Sequence, residues 1–144
     1  MTRTVELVIT RVLRAPPELV FRCLTEPEHL TRFWGPIGVS TPLESITVDL
    51  RPGGVFETIM VDDVTGTRYP IRAIYTDIDP PWRIAWTEPD NGMTSTTTLR
   101  DLGDGRTELT MVQANVLESL ATPEFEAGFT MSLDRLEDHL ATLT

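Results

Sequence analysis

Two carboxylates, Asp77 and Glu88, fall on β-rich stretches that also carry Tyr75, with Gln113 on another such stretch further along. Alternation along a strand places every second side chain on one face. By that parity Phe56, Thr58 and Met60 share a face, as do Ile71, Ala73, Tyr75 and Asp77 on the next run. Ile84, Trp86 and Glu88 follow, then Ser95, Thr97 and Leu99, then Leu109, Met111 and Gln113. If these faces turn inward opposite Phe125 and Phe129, they enclose an aromatic and Met-lined space. Four polar groups would enter it: Tyr75, Asp77, Glu88 and Gln113. An apolar space with a few convergent polar groups is the make-up of a small-molecule site. The plainer reading is that the large side chains fill the space themselves. Asp77 and Glu88 are the candidates for acid–base work, one of them held protonated by burial; the alternative is a pair of solvated strand-end carboxylates. Tyr75 would anchor a ligand through its hydroxyl, or be satisfied within the protein.

Other reactive types carry less. Cys23 is the only cysteine, so there is no internal disulfide, and its apolar helical setting predicts a packed, inert thiol. His29 and His139 are far apart in the chain and lack ligand spacing, so solvated or capping roles are expected, with no metal site and no cofactor. Gly53-Gly54 has no Lys and no helix after it, which makes it a hairpin turn. Ser119 and Ser132 have no nucleophile-elbow context. Asp134, Glu137 and Asp138 read as the wet face of a helix.

The net charge of -10 disfavours nucleic acid and anionic lipid surfaces as partners. All 12 basic residues are Arg, which we read as coding bias. No apolar run approaches the roughly 20 residues of a membrane span. MTRTVELVIT lacks the apolar centre and cleavage site of a signal peptide, so a cytoplasmic location is expected.

The elements that would position these residues are marked by turn signals. With 144 residues, one domain over 1–144 is expected. Residues 4–13 are β-branched and apolar, a first strand. Residues 16–24 and 27–34 read as two short helices, each opened by Pro. Six strand candidates follow at hairpin spacing, about 43–50, 54–62, 67–78, 82–88, 93–101 and 105–114, so the sheet should be antiparallel. Phe125, Phe129, Leu133, Leu136, Leu140 and Leu143 then recur at steps of three and four, the stripe of one long amphipathic helix. Thr122 suits its N-cap and Pro123 its first turn. Phe33-Trp34-Gly35-Pro36 ends the second short helix. Trp34 is therefore either a plug against the sheet or a gate that touches ligand; Phe33 stands beside it.

The stretches VITRVLRAPPELVF, TEPEHLTRFWGP, RPGGVFETIM, DIDPPWRIAWTE and GRTELTM, in this order, resemble the START-like (SRPBCC) superfamily. The nearest branch is similar to the C-terminal domain of the activator of heat-shock protein 90 ATPase, including its bacterial homologues. The resemblance covers nearly the whole chain. It implies an α+β, helix-grip (Bet v-like) fold: a curved seven-stranded antiparallel sheet around a long C-terminal helix, with two short helices between strands 1 and 2. It also implies a hydrophobic cavity under that helix. Branch members often carry Gly-Trp in the last helix; here the pair is Gly128-Phe129, so the cavity's size and shape are not carried over. Nor is the branch's name carried over as an activity, because the eukaryotic co-chaperone grips its chaperone through a separate N-terminal domain.

Three functional readings stand. The first is a binding protein for a small apolar molecule of lipid, sterol or aromatic polyketide class. The second is a cyclase- or hydrolase-like enzyme of the same fold using Asp77 or Glu88, marked by a carboxylate deep in the cavity with a raised pKa and no Arg partner. The third is a stress or chaperone-related interaction protein with a filled cavity. Val55, Ile59 and Val61 on the other face of 54–62 are expected to form its exposed patch, or the surface of a homodimer.

Overall fold

The computed structural model describes residues 3–144; the first two residues of the domain expected over 1–144 lie outside the described residues. The chain opens with β1 (Thr4–Leu13), then α1 (Pro17–Thr25) and α2 (Pro27–Phe33). Both helices start on a proline and have an acid in the first turn, Glu18 and Glu28. They remain two helices because Glu26 precedes Pro27 and is extended, at φ -98 and ψ 126; a residue before proline is pushed out of the helical region.

Then come β2 (Val39–Ser40), β3 (Thr47–Val48), β4 (Val55–Asp62), β5 (Arg68–Asp79), β6 (Arg83–Thr87), β7 (Thr94–Gly103), β8 (Arg106–Leu117) and α3 (Pro123–Ala141). They form one antiparallel sheet in the order β1-β8-β7-β6-β5-β4-β2, with β3 also on β4. The helix-grip architecture is as expected, with eight strands in place of seven. The added strand is β2, which lies before residues 43–50, the stretch expected as one strand. A 3-10 turn, Leu43–Ser45, entered through Pro42, interrupts the segment. Only the two-residue β3 remains of it, and β2 and β3 are both bonded to β4.

Thr122 caps α3 by accepting from the Phe125 backbone N–H at 3.2 Å. The helix has two halves. Leu133, Leu136 and Leu140 are buried in a core shared with Val20, Cys23, Leu30 and Phe33 of the short helices and with Leu13 and Leu109 of the sheet. Phe125 and Phe129 are only half-buried. The expected stripe stops at Leu140: Leu143 lies beyond the helix and is 40% exposed. The helix is thus anchored at its C-terminal end and stands off the sheet at its N-terminal end. No helix among the described residues is long and apolar enough to cross a membrane.

Candidate functional site

The space under the N-terminal half of α3 is a cavity of about 500 Å³. Its wall on the sheet side comes from inward positions of β4 to β8: Met60, Ile84, Trp86, Ser95, Thr97, Met111 and Gln113. Phe125, Gly128 and Phe129 face them from the helix. Phe33 and Trp34 close one end, and Glu88 with Asn91 and the exposed Leu120 border the space as well. Eleven of the sequence candidates are thereby brought together: Phe33, Trp34, Met60, Trp86, Glu88, Ser95, Thr97, Met111, Gln113, Phe125 and Phe129.

Four others lie behind the wall. Phe56, Thr58, Ala73 and Tyr75 are on the expected inward face but are 0–1% exposed and do not line the cavity. Aromatic packing takes them out of reach. Phe56 stacks on Trp86 at 4.9 Å and 17°. Trp34 meets Phe56 edge-on at 5.2 Å, and Tyr75 meets Trp86 at 6.2 Å and 72°. Burial pushes the Tyr75 phenol well above its ordinary value, and neither its hydroxyl nor that of Thr58 has a hydrogen-bond partner among the described residues. The Tyr75 hydroxyl is thus buried behind the cavity wall rather than lining it.

Asp77 also departs from its expected place. The pairing of β5 with β6 runs Tyr75 opposite Trp86 and then Asp77 opposite Ala85, with a register shift between. One extra residue in a strand reverses the parity beyond it. The Asp77 side chain is thus turned away from the cavity and is about half exposed, with its carboxylate 2.6 Å from Arg83 Nε. Only Glu88 of the two carboxylates borders the cavity. Its carboxyl is pushed up, first by burial; the Asn91 amide donating at 3.3 Å opposes this and nearby Asp90 adds to it. Among the described residues no ion pair engages Glu88.

A second polar pair lies deeper. Gln113 Nε2 donates to Ser95 Oγ at 2.9 Å, and both residues are buried. Having accepted, the serine hydroxyl keeps its own proton to give. The cavity thus has an apolar body, a neutral polar pair in the wall and one carboxyl at the border.

The corner at Trp34 is fixed from α3. Ser132 Oγ donates to the Phe33 carbonyl at 2.9 Å and accepts from Gly35 N–H at 3.3 Å. Arg135 Nη1 donates to the Gly35 carbonyl at 2.9 Å. Trp34 is both plug and wall, since it packs on Phe56 and Trp86 and also lines the cavity. Gly35 makes the turn possible. It has φ +101, and a Cβ there would lie 2.8 Å from Val39 Cγ2 and 3.0 Å from Met60 Sδ.

Leu24, Gly35, Pro36, Asn91 and Ser132 also line the cavity, and parity could not have found them because they sit on helices and turns; Met93, which lines it too, shares the parity of Ser95 and Thr97 and was passed over. The turn residues after Glu88 and the Gly35-Pro36 break were the available signals. The patch expected at Val55, Ile59 and Val61 is not open: all three are half-buried, with the Ser45 hydroxyl bonded to both polar groups of the Ile59 backbone.

His29 and His139 are not separate. They lie 110 residues apart in the chain, yet His29 Nδ1 is 2.9 Å from His139 Nε2. Cys23, fully buried, is beside them.

The comparisons agree with this architecture. The family model described as "Activator of Hsp90 ATPase homolog 1-like protein" matches residues 14–141. A crystal structure of a protein from Nitrosomonas europaea is similar at 28% identity and TM-score 0.85, covering 96% of this chain and 95% of that one. One from Chromobacterium violaceum is similar at 27% and TM-score 0.86, covering 93% and 96%. The AHSA1 protein from Silicibacter pomeroyi, at 22% identity, TM-score 0.81 and coverage of 97% and 100%, shows likeness of fold alone. No curated protein matches the chain.

Proposed function

The chain belongs to the activator of Hsp90 ATPase homolog 1-like family, and from that premise we propose that it binds one small, mainly apolar molecule between the sheet and α3. The observation that carries this reading is the cavity of about 500 Å³, inside the roughly 300–1,000 Å³ range of small-molecule pockets. Trp86, Met111, Phe125 and Phe129 supply apolar contact, and Ser95 with Gln113 supplies orientation deep in the wall. A lipid, sterol or aromatic polyketide with one hydroxyl or carbonyl suits that lining. No cofactor is needed for binding of this kind.

A second reading has one observation behind it. Glu88 borders the same cavity, burial raises its carboxyl and no ion pair among the described residues engages it. A carboxyl that burial makes easier to protonate can, once protonated, give a proton to a bound carbonyl or hydroxyl, which suits a cyclase- or hydrolase-like step.

A thermal-shift screen over lipids, sterols and aromatic polyketides tests the first reading. One class should raise the melting temperature in a dose-dependent way; a screen in which nothing does so overturns it. Mass analysis of the stabilising compound after incubation separates binding from turnover. Product that forms with the wild type and not with Glu88→Gln would favour the second reading.

A further inference from the structure

We propose that Cys23, His29 and His139 form a binding site for a divalent transition-metal ion of the zinc class, joining α1, α2 and α3 at the anchored end of the fold. The Cys23 Sγ and one ring nitrogen from each histidine all lie within 4.8 Å of one another. One thiol and two imidazoles are a donor set that zinc takes readily. Zinc bonds of about 2.0–2.1 Å to nitrogen and 2.3 Å to sulfur put neighbouring donors of a tetrahedron between three and four ångströms apart. The His29–His139 separation of 2.9 Å has only to open by a few tenths of an ångström, and the sulfur to draw in.

Sequence spacing argued against a metal because the three residues share no motif. The fold removes that objection, since each comes from a different helix. The outer layer also fits. His29 offers Nδ1 to the site, and its other nitrogen, Nε2, is 3.7 Å from Glu26 Oε1. That is beyond hydrogen-bond reach; on closing by about half an ångström the carboxylate would accept from Nε2–H and fix the tautomer of a ligating imidazole. His139 also lines an open surface depression with Arg32, Asp138 and Thr142, which gives an ion an entry path and solvent a way to the fourth position.

The alternative is a hydrogen-bonded imidazole pair beside an idle thiol. It accounts for the 2.9 Å contact but gives the thiol no part. When the sulfur–metal bond forms, the Cys23 proton leaves to solvent and the two imidazoles lose none. Glu26 offsets the resulting charge; Arg32 opposes it. This site is separate from the ligand cavity, and its proposal does not depend on that one.

The test is titration of chelator-stripped full-length protein with cobalt(II) chloride, followed by displacement with zinc chloride. One equivalent per chain should bind, with a thiolate-to-cobalt charge-transfer band that zinc abolishes. Cys23→Ser should lose the band. His139→Gln should lose more affinity than the roughly 10–100-fold that removal of an outer-layer partner costs, and Glu26→Gln should fall in that 10–100-fold range. Zinc should raise the melting temperature of the wild type and not of His139→Gln. Absence of stoichiometric binding, a cobalt spectrum without the thiolate band, or unchanged affinity in His139→Gln overturns the proposal. Should both ligand variants fail to fold, the wild-type spectrum decides alone.

Discussion

Tyr75 on β5 and Glu88 just beyond β6 illustrate how neighbouring inward positions yield opposite chemistry. Tyr75 is 1% exposed, and its hydroxyl has no partner among the described residues. A buried hydroxyl without a partner costs about 1–3 kcal/mol. Tyr75→Phe should therefore leave the melting temperature unchanged or raise it, by an amount worth up to about 1 kcal/mol; a clear fall in thermal melts would mean that the hydroxyl is bonded. Glu88 has a carboxyl raised by burial. Its folded form holds the proton more tightly than its unfolded form, so its protonation favours folding. That contribution is complete below the ordinary carboxylate range and is lost as pH rises through the raised value. Thermal melts across mildly acidic pH should show this loss, and Glu88→Gln should remove it. Tyr75 and Glu88 were both legible as inward positions, but which of them reaches open space was not. That depends on the stacking of Trp86 on Phe56, a contact between strands that no single stretch encodes. Asp77 was misplaced for a local reason, the extra residue between Tyr75 and Asp77. The Cys23, His29 and His139 cluster was invisible because three helices bring it together.

At the scale of elements, prolines and turn glycines made most strands and all three helices readable. Thr122, Pro123 and the stripe from Phe125 to Leu140 placed α3 almost to the residue. Residues 43–50 misled because their β-branched content outweighed Pro42, whose entry into a 3-10 turn ends strand pairing there. Two glycines predict opposite outcomes. Gly128 sits inside α3, and a Cβ there meets only Pro36 Cβ at 4.0 Å. Gly128→Ala should stabilise by up to about 1 kcal/mol through helix propensity. Gly35 combines φ +101 with a blocked Cβ position, so Gly35→Ala should destabilise by about 1–3 kcal/mol and loosen the Trp34 corner. Denaturant midpoints measured side by side check both signs.

The whole molecule joins a tight end to an open one. Leu133, Leu136 and Leu140 hold α3 against α1, α2 and the sheet, while Phe125 and Phe129 stand over a cavity. A ligand there would bridge the two faces that the chain itself leaves apart, so its burial should add to stability by mass action. The longer of the sheet's two end strands is β1, ten residues long, which exposes Val8 and Val12. Thr97 gives the most direct handle on the cavity. It is 5% exposed, lies on the inward face of β7 and borders the open space. Thr97→Phe should place its ring in that space and keep the fold. The decisive measurement is native mass spectrometry of gently purified wild type and Thr97→Phe, each with and without the best compound from the thermal-shift screen. The account predicts one small molecule per wild-type chain and none on Thr97→Phe. Equal retention by both proteins, or an empty wild type at saturating compound, would contradict it.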